Sequence, residues 1–297
     1  MKKDTTQLLF ELKEYILFEQ TDISVNGVGK KFIEYLNKKP FHIYCVVKRP
    51  KILFNPKRLK ITNESILIPF DIYTKSGIKS RDFSMQNLSE TVDVNVEFSE
   101  HNEFIQISSS SFEYPKIKAS CFLDDFNKQY PDNNLDLDYE LLYVGKSHSK
   151  NGEGNATDRI FGHEMIQKIY SDLRKSDPMA SVWFMLCDFH YYSSLNFAPS
   201  LKRKPSNFVH NQMKKSLSIK GDEKQKLIEA SLINYFKPEY NDKFKDNFPS
   251  EKHKSYSTVY DSKINAMSVE FGTQDIGRSI YTENTKRSNL HIYRYEF

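Results

Sequence analysis

Tyr139-Glu140-Leu141-Leu142-Tyr143-Val144-Gly145-Lys146-Ser147 opens the decisive stretch, Asp158-Arg159-Ile160-Phe161-Gly162-His163 continues it, and Ile228-Glu229-Ala230-Ser231-Leu232-Ile233-Asn234-Tyr235-Phe236-Lys237-Pro238-Glu239-Tyr240-Asn241 closes it. The first piece reads as a strand that ends in Tyr-Val-Gly. Its Gly145-Lys146-Ser147 imitates the end of a P-loop, but that loop needs a further glycine where Glu140 stands, so the P-loop is excluded. The second piece begins a helix capped by Thr157 or Asn155 and running to about Lys175. At about 100° per residue, Arg159, His163, Ile166 and Tyr170 share one stripe of it. A guanidinium and an imidazole one turn apart near a helix start suit a phosphate. They equally suit a salt-bridged arginine and a core histidine.

The third piece is a helix from about Lys224 to Phe236 with Ile228, Leu232 and Tyr235 at its apolar centre. Glu229 falls inside the apolar arc, where a carboxylate must be paired, protonated or bound to a metal. A buried Glu–Arg pair is the plain alternative. Pro238 stops the helix, and Asn241 follows in a turn. Between His163 and Glu229, Trp183–Phe189 reads as another strand. The segment Asn196–Lys226 then carries Lys202, Arg203, Lys204, Lys214, Lys215, Lys220, Lys224 and Lys226 against Asp222 and Glu223. Such an insertion suits a phosphate backbone, and would be unremarkable as a bare surface loop.

The rest of the chain bounds the reading. Its 297 residues allow two domains, and 38% hydrophobic with 14% aromatic content supports a packed core. A net charge of +4 favours no partner, so local charge must be read instead. Between Lys30 and Lys60, ten Lys/Arg face Glu34 alone, which either follows a phosphate backbone or covers a solvated surface. Apolar runs are too short to cross a bilayer, and Met1-Lys2-Lys3-Asp4 leads into no signal-peptide pattern. The widely spaced Cys45, Cys121 and Cys187 read as reduced core residues in a cytoplasmic protein.

Residues 5–19 are expected to form a helix with Leu8, Leu12, Tyr15 and Ile16 as its stripe. From Phe41 the period becomes two, and Phe41–Val47, Ser65–Tyr73, Thr91–Phe98, Phe104–Ser109 and Lys116–Cys121 are strand candidates. Ser120–Tyr130 reads as a short helix, and Ala266–Phe271 and Leu290–Phe297 as late strands. The expected class is α+β. Residues 1–130 would form a mostly β domain with N-terminal helices, 131–250 a small antiparallel sheet with helices, and 251–297 a tail whose strands return to the N-terminal sheet.

Tyr143-Val144-Gly145, Arg159 and His163 four apart, Glu229 on a later helix and Asn241 after Pro238 together resemble the GIY-YIG nuclease superfamily over about Tyr139 to Asn241. The resemblance implies a three-stranded antiparallel sheet with helices, and metal-dependent hydrolysis of nucleic-acid phosphodiesters, DNA rather than RNA. It implies that Glu229 ligates Mg²⁺ or Mn²⁺, that Arg159 stabilises the scissile phosphate and that Tyr143 positions or activates water. His163 would assist proton transfer and Asn241 would brace the site, with Lys146, Lys202, Arg203 and Lys204 on the substrate. The first name motif, Gly-Ile-Tyr, is absent, and Lys116–Cys121 is the expected first strand of the module. A restriction or defence role, with a homodimer or a protein partner, is the expected setting, and a catalytically degenerate nucleic-acid-binding protein the alternative.

Overall fold

The computed structural model describes residues 5–19, 21–22, 28–39, 41–86, 93–129, 136–146, 160, 164–196, 214, 219–262 and 264–297. It is a mixed α/β structure dominated by sheet. Two long strands form its spine, β1 (Thr5–Glu19) and β10 (Ala180–Asn196), paired antiparallel along their whole length. Beside β10 lies β2 (Ile43–Phe54), and beside β2 lies β9 (Tyr139–Lys146), both antiparallel to their neighbours. The tail adds β11 (Ala266–Gly272) parallel to β1, then β14 (Leu290–Glu296) antiparallel to β11. On the far side, β12 (Ile280–Thr282) pairs with the start of β9 and with β13 (Thr285–Ser288). Thus strands from 1–130, 131–250 and 251–297 share one sheet and one core.

The outermost strands of this order, β13 and β14, are separated in the chain by Asn289 alone. The sheet therefore curls until its ends meet, and His291 Nε2 on β14 donates to the Ile280 carbonyl on β12 at 3.0 Å. Inside the curl lies α4 (Gly221–Phe236), which buries Leu227, Ile228, Ala230, Leu232, Ile233 and Phe236. Buried apolar residues cover most of its circumference, which marks a helix packed into a core on more than one side. On the sheet's other face, α1 (Val28–Asn37) contributes Leu36 and α3 (Glu164–Ser176) contributes Ile166, Ile169 and Leu173 to a second core with Tyr44, Val46, Leu142, Phe184 and Leu186.

Residues 5–19 are a strand and not the helix that the stripe Leu8, Leu12, Tyr15 and Ile16 suggests. The register slips between Leu12 and Glu14, so Lys13 is an extra residue in the strand. Leu8, Phe10 and Leu12 before the bulge and Tyr15 and Leu17 after it all face the α4 core, while Ile16 and Phe18 face the α3 core. The phase change disguises a period of two as a period near four.

The end of β2 continues into a separate lobe. There Lys51–Phe54 pairs with β4 (Ser65–Thr74), which also pairs with β3 (Lys60–Ile61) and β5 (Gly77–Gln86). A small sheet of β6 (Val94–Phe98), β7 (Phe104–Ser109) and β8 (Ile117–Lys118), with α2 (Ala119–Gln129), completes the lobe's core. Lys116–Cys121 is thus a two-residue strand running into α2, paired with β7, and the antiparallel partner of β9 is β2. Cys45 and Cys187 are buried as expected, but Cys121 is exposed on α2, whose inner face is filled by Ala119, Leu123 and the phenylalanines Phe122 and Phe126. Among the described residues, no helix is long and apolar enough to cross a membrane.

Half of the basic run from Lys30 to Lys60 is neutralised by ion pairs. Lys39 meets Glu14 at 2.9 Å, Lys48 meets Glu140 at 3.3 Å, Arg49 meets Asp124 at 2.8 Å, Lys51 meets Glu103 at 3.0 Å and Arg58 meets Asp82 at 2.8 Å.

Candidate functional site

The C-terminal end of β9 carries Tyr143, Gly145 and Lys146. Its outer edge pairs with β12 only at Tyr139 and Glu140. Farther along, the turn after α4 takes over that edge. Lys237 adopts the left-handed conformation (φ 48°) that ends the helix, and Pro238 follows. The chain then lies against β9. Tyr240 N–H donates to the Leu142 carbonyl at 3.1 Å. Asn241 Nδ2 donates to the Val144 carbonyl at 2.9 Å, and its Oδ1 accepts from Val144 N–H at 2.8 Å. The Asn241 amide thus acts as one more peptide unit of the sheet. It satisfies two buried backbone groups that would otherwise cost about 1–3 kcal/mol each, and it fixes the strand that carries Tyr143.

Gly145 has a steric reason. A Cβ there would stand 2.5 Å from Tyr44 Cζ and 2.6 Å from its hydroxyl oxygen. Tyr44 is the residue opposite Gly145 on β2, and its ring centroid lies 6.0 Å from that of Tyr143 at 43°. The two tyrosines thus sit side by side on the α3 face of the sheet, Tyr44 buried and Tyr143 half-buried.

A pocket of about 430 Å³ opens here. Tyr143, Lys146, Met165 of α3, Lys226, Glu229 and Ile233 of α4, and Tyr240, Asn241 and Asp242 of the following turn line it. Lys226, Glu229 and Ile233 follow the helical repeat, so α4 turns one face to the pocket and its other faces to the core. Tyr143, Lys146, Glu229 and Asn241, singled out from the sequence, therefore line one concavity. Arg159, His163, Lys202, Arg203 and Lys204 lie outside the described residues.

The electrostatics are particular. Lys146 is buried, and its Nζ donates to Asp222 Oδ1 at 2.7 Å. Lys226 Nζ lies 2.5 Å from Asp222 Oδ2. Partial burial pulls the Asp222 carboxyl up, but Lys146 and Lys226 hold it below its ordinary range, so it is an anion at neutral pH. Burial pushes the Tyr240 hydroxyl up to about 12, which makes it a donor and not a base.

Among the described residues, no group of three or more His, Cys, Asp and Glu gathers for a metal. The carboxylates on the pocket wall are Glu229 and Asp242. Mg²⁺ keeps most of its water and often takes only one or two carboxylates together with substrate phosphate, so this donor set fits a hard divalent ion.

Three participants escaped the sequence reading. Tyr44 stands in the strand Phe41–Val47, and the Ile43-Tyr44 pair near the start of an alternating strand was the available signal. Asp222 and Lys226, four apart at the start of α4, were counted only as part of a charged run. No family model matches the chain, and no curated protein or solved structure is significantly similar to it.

Proposed function

We propose that the protein is a metal-dependent endonuclease of GIY-YIG type that hydrolyses phosphodiester bonds in nucleic acid, DNA in preference to RNA. The observation that supports this reading is the convergence of Tyr143, Lys146, Glu229 and Asn241 on one pocket, with Tyr44 beside Tyr143. In this reading His42-Ile43-Tyr44 takes the place of the missing first motif. Its strand β2 runs antiparallel to β9 and sets Tyr44 opposite Gly145. The segment between the two motifs, which holds β3 to β8 and α2, is then a lobe inserted between paired strands.

The residues take the following roles. Tyr143, half-buried on the pocket wall, orients the attacking water through its hydroxyl, which takes the water's proton as it gives its own to a neutral His163, with Tyr44 packed against it. Glu229 would hold Mg²⁺ or Mn²⁺, which when bound supplies positive charge to the scissile phosphate. Lys146 adds a fixed cation beside the bound strand, and Arg159 a bidentate donor to the scissile phosphate. His163 assists proton transfer. Asn241 touches no substrate and acts by holding Val144 and hence Tyr143 in place. Lys202, Arg203 and Lys204 hold the flanking strand. Restriction or defence against foreign DNA, in the cytoplasm, is the setting we propose, by analogy of architecture.

The test is cleavage of plasmid and oligonucleotide substrates in Mg²⁺ or Mn²⁺, against EDTA and against Glu229→Ala. Metal-dependent cutting that the variant lacks supports the reading. Binding without cutting on every DNA and RNA tried replaces it with a degenerate binder of the same fold.

A further inference from the structure

Asp222 sits between two cations that differ from it in exposure. The Lys146 side chain is 9% exposed and that of Lys226 30%, while the Asp222 side chain is 42% exposed. Both lysines line the pocket that holds Tyr143 and Glu229; Asp222, on the first turn of α4, meets both of them without lining the pocket itself. A lysine buried to this degree requires an anion, because an ammonium without water or a counterion costs several kcal/mol. Asp222 supplies that anion from the solvent side, on a short side chain that reaches water by one rotation about its Cα–Cβ bond. A phosphodiester arriving from the pocket would meet the same two ammonium groups, and its two non-bridging oxygens can serve both lysines as the two carboxylate oxygens do.

We propose that Lys146 and Lys226 form a clamp for a phosphodiester adjacent to the scissile one, and that Asp222 is the clamp's resident anion, expelled when the strand enters. The inference rests on the nuclease reading for the identity of the strand. It adds a second phosphate subsite, a new substrate contact in Lys226 and an intramolecular competitor in Asp222. Asp222 keeps the pocket closed to weak or isolated anions and stabilises Lys146 between substrates. A nucleic-acid strand, held also by its other phosphates, outcompetes it.

The experiment is fluorescence anisotropy of a labelled DNA oligonucleotide with the full chain in EDTA, so that no cutting intervenes, across a sodium chloride series. Asp222→Asn removes the competing charge and is expected to bind about tenfold tighter. Lys226→Gln, on an accessible helix surface, is expected to bind more weakly and to reduce the salt slope by about one. The double variant should lose most of the gain. Affinity in Asp222→Asn equal to or below that of the parent, with unchanged thermal melting, overturns the proposal. So does Lys226→Gln with unaltered affinity and slope, which needs no assumption about Asp222→Asn folding. A gain in Asp222→Asn with no metal-dependent cutting by any variant keeps the clamp and removes the nuclease reading. Cutting that needs Glu229, with a neutral Asp222→Asn, removes the clamp alone.

Discussion

The two ends of β9 each carry an aspartate shared between two cations, and the two clusters do opposite things. At the start, Arg49 of β2 meets Asp124 of α2 at 2.8 Å, and Arg278 meets the same carboxylate at 2.7 Å. The Arg49 side chain is 1% exposed and Asp124 16%, and the Arg49 guanidinium lies 4.8 Å from the ring centroids of both Tyr139 and Trp183. Both guanidinium groups are almost wholly buried, and the carboxylate they share is mostly so. At the other end, Lys146–Asp222–Lys226 faces a pocket, and its carboxylate is the most exposed member. Equal composition gives a rivet in the first place and an exchangeable contact in the second. The exposure of the shared anion makes the difference.

This contrast is tested most strongly by two removals. Glu229→Ala, on the pocket, should lower metal-dependent cleavage by a factor of about 10³ or more, roughly 4 kcal/mol of transition-state stabilisation. Its urea midpoint should stay that of the parent. A large fall in the midpoint would make Glu229 a structural residue and erase the contrast. Asp124→Ala should do the reverse. Two guanidinium groups would lose their shared partner in the interior, at a cost of about 3–5 kcal/mol in urea unfolding. Asp222→Ala should cost less in the same assay, because its carboxylate is 42% exposed and water can reach Lys146 from the pocket. Equal losses for the two aspartates would show that exposure does not separate them.

Gly145→Ala probes the junction between the strand and the chemistry. The added methyl meets the Tyr44 ring, which is buried and cannot swing away. Overpacking of this kind costs about 1–3 kcal/mol and displaces Tyr44 relative to Tyr143. The expected result is a modest fall in melting temperature and a larger fall in cleavage rate. A variant with full activity would free Tyr44 from any part in the site.

What the residues announced on their own depended on how local their partners are. Helix α4, strands β7, β9 and β11 and the turn at Pro238 follow from patterns within one segment, and they appear where the patterns place them. Asn241 is marked as a brace by the resemblance alone; the residues around it announce only a turn, and its amide bonds both backbone groups of Val144. Strand β1 was not legible, since its bulge at Lys13 moves the apolar phase and mimics a helix. The first strand of the module was sought next to β9, whereas β2 lies almost a hundred residues earlier, Val46 pairing with Tyr143. Nor does any sequence rule join Arg49, Asp124 and Arg278, or Lys146 and Asp222, because their separation in the chain says nothing of their distance in space.

His291 offers the finest test of the fold-holding end of β9. It is buried on β14, where Nε2–H donates to the Ile280 carbonyl and Nδ1 accepts from the Tyr235 hydroxyl at 3.2 Å. Ile280 in turn pairs with Tyr139, so this imidazole fastens the strand that borders the Arg49 cluster. The Nδ1 contact needs the neutral ring, and burial lowers its pKa against the upward pull of the nearby carbonyls. The unfolded chain therefore binds a proton more readily than the folded one. Stability contributed by the neutral ring is complete above about pH 6.5 and declines as pH falls below that value, levelling off once the folded ring is also protonated. The loss is expected as a melting temperature that falls between neutral and mildly acid pH. His291→Gln should flatten this dependence relative to the parent, because its amide does not titrate. A parent and variant with parallel pH profiles would mean that the curled sheet closes without any contribution from the protonation state of this ring.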